Sequence, residues 1–101
     1  AAIVVCANKT KAWKRPFDGK ITTDIDASIL TDHMMLEATE LGLGSVWICY
    51  FNPDILKEEL NLPENLEPVN ILALGYSDEL DASAERHKDM RIGMDELVSY
   101  L

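Results

Sequence analysis

This sequence of 101 residues has few cysteines, few basic residues and no long apolar run, and each shortage excludes a class of protein or site. It has only two cysteines, Cys6 and Cys49, with no CxxC spacing, which excludes zinc-finger and dithiol redox motifs. Both lie in apolar, strand-like runs, so we expect free and mostly buried thiols in a reducing cytoplasm. The longest apolar runs, 1–7 and 46–51, fall far short of the roughly 20 residues that a membrane-spanning helix needs. No basic stretch precedes the first run, so we expect no signal peptide.

Basic residues are scarce as well. Nine lysines and arginines face eighteen acidic residues, which gives a formal net charge of -9 at pH 7. A surface of this sign repels duplex nucleic acid and anionic membranes, so we expect neither as a partner. Acidity selects no partner by itself, because it is also common among cytosolic proteins. The length fits one domain, residues 1–101, near the lower end of the usual size range.

The apolar pattern predicts a small sheet with helices packed on it. Mostly apolar runs predict strands over 2–7, 45–51 and 69–75, the first of them without any polar residue. The segment 9–23 is basic and rich in turn residues, and its length is typical of a functional loop. Trp13 and Phe17 within it need a surface on which to pack.

Helix boundaries are marked by capping residues. Thr23 and Asp26 are close to a capping box, and the helix that they begin runs to Leu41 and stops at Gly42. Asn52 and Pro53 predict the N-cap and first position of a second helix, which ends near Leu60. The remaining predictions are a turn between Pro63 and Pro68, an irregular segment over 77–88 and a short final helix over 95–101.

The first helix is apolar around more of its circumference than a half-buried helix needs. We therefore expect wide burial, with part of its cover coming from another subunit or another segment. One stripe contains His33, which is either a catalytic base or a histidine of the core or interface. The first stripe consists of Ile25, Ile29, His33 and Leu36. The second consists of Ala27, Leu30, Met34, Ala38 and Leu41.

Taken in order, the segments resemble the C-terminal half of the FMN-dependent nitroreductase family. The resemblance rests on a helix ending in Glu-Leu-Gly-Leu-Gly-Ser (40–45), an apolar strand, an Asn-Pro helix start, a Leu-Pro-Glu turn and a strand ending in Leu-Gly-Tyr. It implies an α+β fold and a homodimer. The family's Arg-rich N-terminal phrase and first helix pair have no counterpart in these residues.

The resemblance also implies a flavin site. The strand with Trp47 would pass the isoalloxazine ring of FMN, with the backbone N–H groups of Ile48, Cys49 and Tyr50 bonded to its reactive edge. Tyr50 stands where the family usually has glycine, which implies a narrower or differently shaped surface beside the ring. Arg91, in a basic phrase near the C-terminus, would hold the FMN phosphate, with Lys88 as a second ligand.

The implied activity is that of an NAD(P)H oxidoreductase, which passes hydride through flavin to a nitro compound, quinone or similar acceptor. Such chemistry needs no side-chain nucleophile and no metal. The alternative is a chain without flavin that acts as a structural or interaction module, or one that binds flavin without turnover. The aromatic residues Trp47, Tyr50 and Phe51 also fit ordinary core packing, and Arg91 also fits an ordinary surface position.

Overall fold

The computed structural model describes residues 1–78 and 82–101 and confirms the α+β class. Its three strands are β1 (Ala2–Asn8), β2 (Gly44–Ile48) and β3 (Leu66–Gly75). They form one sheet in the order β1-β3-β2, with both outer strands antiparallel to β3. Consequently β1 and β2 run in the same direction, and their C-terminal ends lie at the same end of the sheet.

Four helices complete the described chain: α1 (Thr23–Glu40), α2 (Pro53–Glu59), α3 (Arg86–Met90) and α4 (Met94–Leu97). The helix α1 contacts all three strands, and α2 contacts β3. None of the helices in the described part of the chain is long and apolar enough to cross a membrane.

The central strand β3 begins earlier than predicted. The sequence placed Pro68 in a turn, but Leu66, Glu67 and Pro68 pair with β1. The register shifts between Val5, which opposes Asn70, and Cys6, which opposes Pro68, so Val69 is left as the extra residue of a bulge. Proline has no N–H to give to a ladder, and a bulge is one of the few places where a sheet accepts it. The turn prediction is therefore wrong at Pro68.

The core lies between α1 and one face of the sheet. Alternate residues of β3 are buried, among them Asn70 and Leu72, as strand geometry requires. Thr31 of α1 is fully buried against this face, and its hydroxyl is 3.0 Å from Asn70 Oδ1. The apolar core residues are small apart from Leu72: Val5, Ala7, Ala27 and Ala38.

The ends of α1 agree with the prediction in position but not in every contact. The helix begins at Thr23, yet the N-cap is Thr22, and it makes no side-chain capping bond to any described residue, so the capping box does not form. At the other end Gly42 adopts a φ of +74°, and the N–H groups of Gly42 and Leu43 donate back to Thr39 and Ala38. These two hydrogen bonds form a Schellman motif, which confirms Gly42 as the residue that ends the helix.

Within this chain α1 is buried on one face only, so the cover expected from another subunit or segment stays a prediction. Its buried residues are Ala27, Thr31 and Ala38, which lie on one face, and His33 on the other side is exposed. No described element covers that other side. Five large apolar side chains of the helix and its C-cap are more than half exposed as a result: Ile25, Ile29, Leu30, Leu36 and Leu41.

The C-terminal segment differs from prediction at both helices. Part of the stretch expected to be irregular is helical, since α3 begins at Arg86; residues 79–81 lie outside the described part. The final helix is shorter than 95–101, because Val98 is already extended, with φ -117° and ψ 126°. Neither α3 nor α4 contacts any other described element.

Candidate functional site

The candidate site lies where β2 meets α2. β2 leaves its ladder after Ile48 pairs with Ile71, three residues before the predicted end at Phe51. The Phe51 N–H instead donates to the Cys49 carbonyl, 3.2 Å away, which turns the chain toward α2. Pairing with β3 therefore does not use the N–H groups of Cys49 and Tyr50.

The N-terminus of α2 fixes the other side of this turn. Asn52 is the N-cap, as predicted, and its Oδ1 accepts hydrogen bonds from the N–H groups of Asp54 at 3.0 Å and Ile55 at 3.3 Å. Pro53 occupies the first helical position, where its missing N–H leaves no bond unmade. The two-residue segment of Cys49 and Tyr50 is thus held between a strand end and a capped helix.

A surface hollow of about 620 Å³ lies beside this segment and is lined by the six residues from Cys49 to Asp54. This volume is within the usual range for small-molecule sites. The Tyr50 side chain is fully exposed at the hollow. The sequence pointed to Asn52 only as a helix cap, and its place in the lining was missed, although its position directly after Tyr50 and Phe51 was a usable signal.

The thiols differ from expectation in their burial. Cys6 and Cys49 are both free, as predicted, but Cys49 is exposed and Cys6 is half-buried. Burial, with a smaller effect from the nearby Glu67 carboxylate, raises the pKa of the Cys6 thiol. The ladder ends before Cys49, which is why an apolar neighbourhood in the sequence did not bury it.

Trp47 and Ile48 belong to strand β2, and neither of them lines the hollow. Trp47 opposes Leu72 and Ile48 opposes Ile71, so that the two side chains lie on opposite faces of the sheet. The indole Nε1 of Trp47 is buried and has no hydrogen-bond partner among the described residues. Trp47 therefore brings a buried donor to the helix-covered face.

The predicted phosphate ligands lie on a different part of the molecule. Lys88 is in α3 and forms an ion pair with Glu85, and Arg91 follows directly as the C-cap, with no ion pair to any described residue. The positive charges of Arg86 and Arg91 lower the pKa of His87. Because α3 contacts no other described element, the structure does not bring Lys88 and Arg91 to Cys49 and Tyr50.

The described residues offer the types of chemical group that can bind a flavin. Main-chain donors not used in the ladder suit the electron-rich edge of the isoalloxazine ring, and an unpaired guanidinium suits a phosphate. Both kinds of group are present on this α+β scaffold, at two separate places.

The chain belongs to the nitroreductase family, whose model matches residues 1–76. It is 40% identical over 86 residues to the Archaeoglobus fulgidus "Putative NADH dehydrogenase/NAD(P)H nitroreductase", a match that covers 80% of this chain and 47% of that protein.

Solved structures agree with this membership. A nitroreductase family protein from Clostridium difficile matches 98% of this chain and 58% of its own, with 64% identity and a TM-score of 0.93. An FMN-dependent nitroreductase from the same species matches 90% of this chain and 56% of its own, with 31% identity and a TM-score of 0.66. The chain thus spans about half the length of the relatives that it matches.

Proposed function

We propose that this chain takes part in FMN-dependent, NAD(P)H-linked reduction of a nitro compound, quinone or similar acceptor. The observation that carries the proposal is the segment of Cys49 and Tyr50, whose two N–H groups are free of the ladder beside a hollow of about 620 Å³. The segment falls within the residues that the family model matches.

The residues around the hollow supply binding and charge stabilisation. Strand β2 on one side and the Asn52 cap on the other fix the direction of the Cys49 and Tyr50 N–H groups before any ligand arrives. Donors fixed in this way stabilise negative charge without having to reorganise. When bound, the flavin would supply the hydride-transfer chemistry, which the protein side chains cannot provide.

Arg91 is proposed to hold the FMN phosphate, with Lys88 as a weaker second ligand. A guanidinium can make two parallel hydrogen bonds to a phosphate, whereas an ammonium acts as a point charge, and Lys88 already faces Glu85. Since α3 contacts no other described element, this role requires the 86–91 segment to meet the ring-binding segment when the ligand is bound.

The proposal extends to assembly and location. A homodimer would cover the apolar side chains that α1 leaves exposed. The cytoplasm is the proposed location, because it keeps thiols such as Cys6 and Cys49 reduced.

A turnover assay tests the proposal. The purified 101-residue chain is mixed with FMN, NADH or NADPH, and a quinone or nitroaromatic acceptor, and nicotinamide oxidation is followed by absorbance. Turnover above that of free FMN is expected, and it should saturate with nicotinamide concentration. A rate equal to that of free FMN would remove the catalytic proposal.

A second candidate function is a flavin-free interaction module. The separation of Lys88 and Arg91 from Cys49 and Tyr50 favours it, since the expected phosphate ligands do not meet the expected ring contacts among the described residues. It would give a colourless protein that oxidises no nicotinamide even with added FMN. A chain that binds FMN but gives no turnover would instead be a flavin carrier or sensor.

A further inference from the structure

A short segment after β1 carries most of the basic residues of this acidic chain. Five of the nine lysines and arginines lie within residues 9–20, whereas the whole chain has a formal net charge of -9. An anionic ligand, which an acidic surface repels, is attracted to such a segment. Three of its lysines are exposed and make no ion pair with any described residue: Lys11, Lys14 and Lys20.

Two exposed aromatic side chains accompany these lysines. We call residues 11–21 the basic hairpin, within which Phe17 is 95% exposed and Trp13 is 63% exposed. An exposed ring can stack on the flat face of any nucleobase. A lysine ammonium binds phosphate as a point charge. Rings and lysines together are therefore the groups that bind a nucleotide.

The basic hairpin is ordered by its own contacts. Lys14 and Ile21 form a β-bridge, and the Arg15 N–H donates to the Lys20 carbonyl at 3.0 Å. The Arg15 guanidinium donates to both carboxylate oxygens of Asp18, at 2.9 and 2.5 Å. This pair neutralises itself and leaves the lysine charges unopposed. A turn that is formed in advance loses less conformational entropy when it binds a ligand.

The basic hairpin follows the same end of the sheet as the candidate site. It comes after the C-terminal end of β1, and the candidate site comes after the C-terminal end of β2. Ile71 of β3 pairs with Val4 on one side and Ile48 on the other, and β1 continues four residues beyond Val4 to Asn8. At about 3.3 Å per residue and about 4.8 Å between neighbouring strands, the two strand ends are roughly 16 Å apart.

A shared ion pair connects the hairpin to the helix that borders the hollow. One carboxylate oxygen of Glu67 lies 3.6 Å from the Nζ of Lys9, just before the hairpin, and 3.4 Å from the Nζ of Lys57 in α2. The N-cap of α2 is Asn52, which lines the hollow. The hairpin and the hollow are thus linked through one part-buried side chain.

We infer that the basic hairpin binds the adenosine end of NADPH, with its lysines toward the 2′-phosphate and its aromatic rings toward the adenine. The inference rests on the proposed function, in which the nicotinamide ring must reach the flavin, and it adds the preferred dinucleotide and its second contact. Two nucleosides joined through a pyrophosphate, when extended, cover a distance of the order that separates the two strand ends. A single nucleotide is too short to do so.

The unpaired lysines favour NADPH over NADH. The two cofactors differ only in the phosphate on the 2′ oxygen of the adenosine ribose, which adds about two negative charges at neutral pH. Beside the hairpin this added charge is attracted, whereas an acidic surface elsewhere would repel it. We therefore expect a lower KM for NADPH than for NADH at low salt, with a difference that shrinks as salt screens the charges.

Adenosine 2′,5′-bisphosphate, the adenosine end of NADPH without its nicotinamide, tests the site in the absence of flavin. An NMR titration of the 101-residue chain would follow the indole N–H resonances of its two tryptophans, Trp13 and Trp47. We expect a saturable shift of the Trp13 resonance, while that of Trp47, whose Nε1 is buried, stays in place. Adenosine 5′-monophosphate, which lacks the 2′-phosphate, should bind more weakly.

Lysine substitutions test the charge contact. Lys14 and Lys20 project from opposite faces of the hairpin, so they are changed to alanine singly and together. We expect the double variant to raise the dissociation constant of the bisphosphate about tenfold, with most of the loss from the lysine on the binding face. In turnover with FMN, its KM for NADPH should rise similarly, with kcat nearly unchanged and a smaller effect on NADH. Arg86→Ala, which removes one charge from α3, is the control, and circular dichroism would first establish that each variant is folded.

Two results would overturn the inference: equal binding of the bisphosphate and the monophosphate by the unaltered chain, or equal bisphosphate affinity in the double lysine variant and the Arg86→Ala control. A chain that binds the bisphosphate at Trp13 but gives no turnover would retain the inference and lose the proposed activity. Turnover with equal KM values for NADH and NADPH at low salt would retain the activity and remove the inference.

Discussion

At the level of single residues, the least expected feature is a polar pair in the centre of the core. Thr31 and Asn70 are at most 1% exposed, and the Thr31 hydroxyl lies 2.8 Å from the Ala27 carbonyl and 3.0 Å from Asn70 Oδ1. One hydroxyl proton cannot serve both acceptors. Turning the Asn70 amide about would let Nδ2, which otherwise has no described partner, donate to Thr31 Oγ1. The pair then ties α1 to β3 with both bonds made.

We expect Thr31→Val to lower the free energy of unfolding by about 1–3 kcal/mol, because it leaves the buried Asn70 amide without its partner. Adding Asn70→Leu should recover much of the loss, since replacing both partners by apolar groups of similar shape removes the unpaired atoms. Urea denaturation of the two single variants and the double variant measures the coupling. Strict additivity of the two losses would contradict a direct bond.

The Arg15–Asp18 pair gives the hairpin of residues 11–21, which the Lys14–Ile21 β-bridge closes, a pH dependence. The bond from Arg15, with a smaller contribution from the Lys20 N–H, lowers the pKa of Asp18 below its usual 3.8. Its contribution to the hairpin is therefore complete above the unfolded pKa and is lost as pH falls through the lower, folded value.

We expect Arg15→Ala to raise the Asp18 pKa toward 3.8, because the largest cause of the shift is removed. The carboxyl resonance of Asp18, followed by NMR from pH 6 to pH 2, measures the change. Lys11→Ala, a loss of charge elsewhere in the hairpin, is the control. Equal titration of Asp18 in all three proteins would contradict the pairing.

At the level of elements, the sequence predicted helix ends that depend on local hydrogen bonds. It did not predict strand ends that depend on pairing with another strand. Gly42 and the Asn52–Pro53 pair mark helix ends through local bonds, and both predictions are confirmed. The ends of β2 and β3 depend on where a ladder with another strand stops, which no short stretch of sequence encodes. Hence Phe51 was wrongly placed in a strand and Pro68 wrongly left out of one.

The helix α2 offers a prediction about the candidate site. We expect Asn52→Ala to destabilise the protein by about 1 kcal/mol, because the first turn of α2 loses the acceptor for the Asp54 and Ile55 N–H groups. FMN affinity should fall as well if Asn52 fixes the Cys49 and Tyr50 segment. Asn52→Asp keeps an acceptor and serves as the control in urea denaturation and in flavin titration. A fully stable Asn52→Ala protein would contradict the role of the cap.

At the level of the whole molecule, the described chain is extended for its size. Its Cα radius of gyration is 17.2 Å, whereas a compact domain of about 100 residues has a value near 13 Å. Residues 82–88 and 90–101 are all exposed, and so are Ile25, Ile29 and Leu36 on the side of α1 that faces away from the sheet. The apolar stripes of α1 predict cover from outside the helix, and this chain spans about half the length of the relatives that it matches. A helix pattern shows that a face is apolar, but not which segment or subunit covers it.

The location of the candidate site could be predicted only in part. The resemblance pointed to Cys49 and Tyr50, and the structure shows their N–H groups outside the ladder beside a hollow. It also pointed to Arg91, whose segment the fold holds apart from that hollow. Residues 49 and 50 are adjacent in sequence, so a local turn is enough to keep them together. A site that also included 88–91 would need contacts that the described residues do not make.

FMN titration of the 101-residue chain tests the central claim most directly. Flavin fluorescence and the thermal unfolding midpoint would be followed together, since a ligand that binds only the native state must stabilise it. We expect saturable quenching and a higher midpoint, with affinity reduced by about tenfold in Arg91→Ala, equivalent to about 1.4 kcal/mol for a charge-assisted phosphate contact, and nearly unchanged in Arg86→Ala. No saturable binding by the unaltered chain would contradict the claim of a flavin site, and equal affinity in the Arg91→Ala protein would remove Arg91 from it.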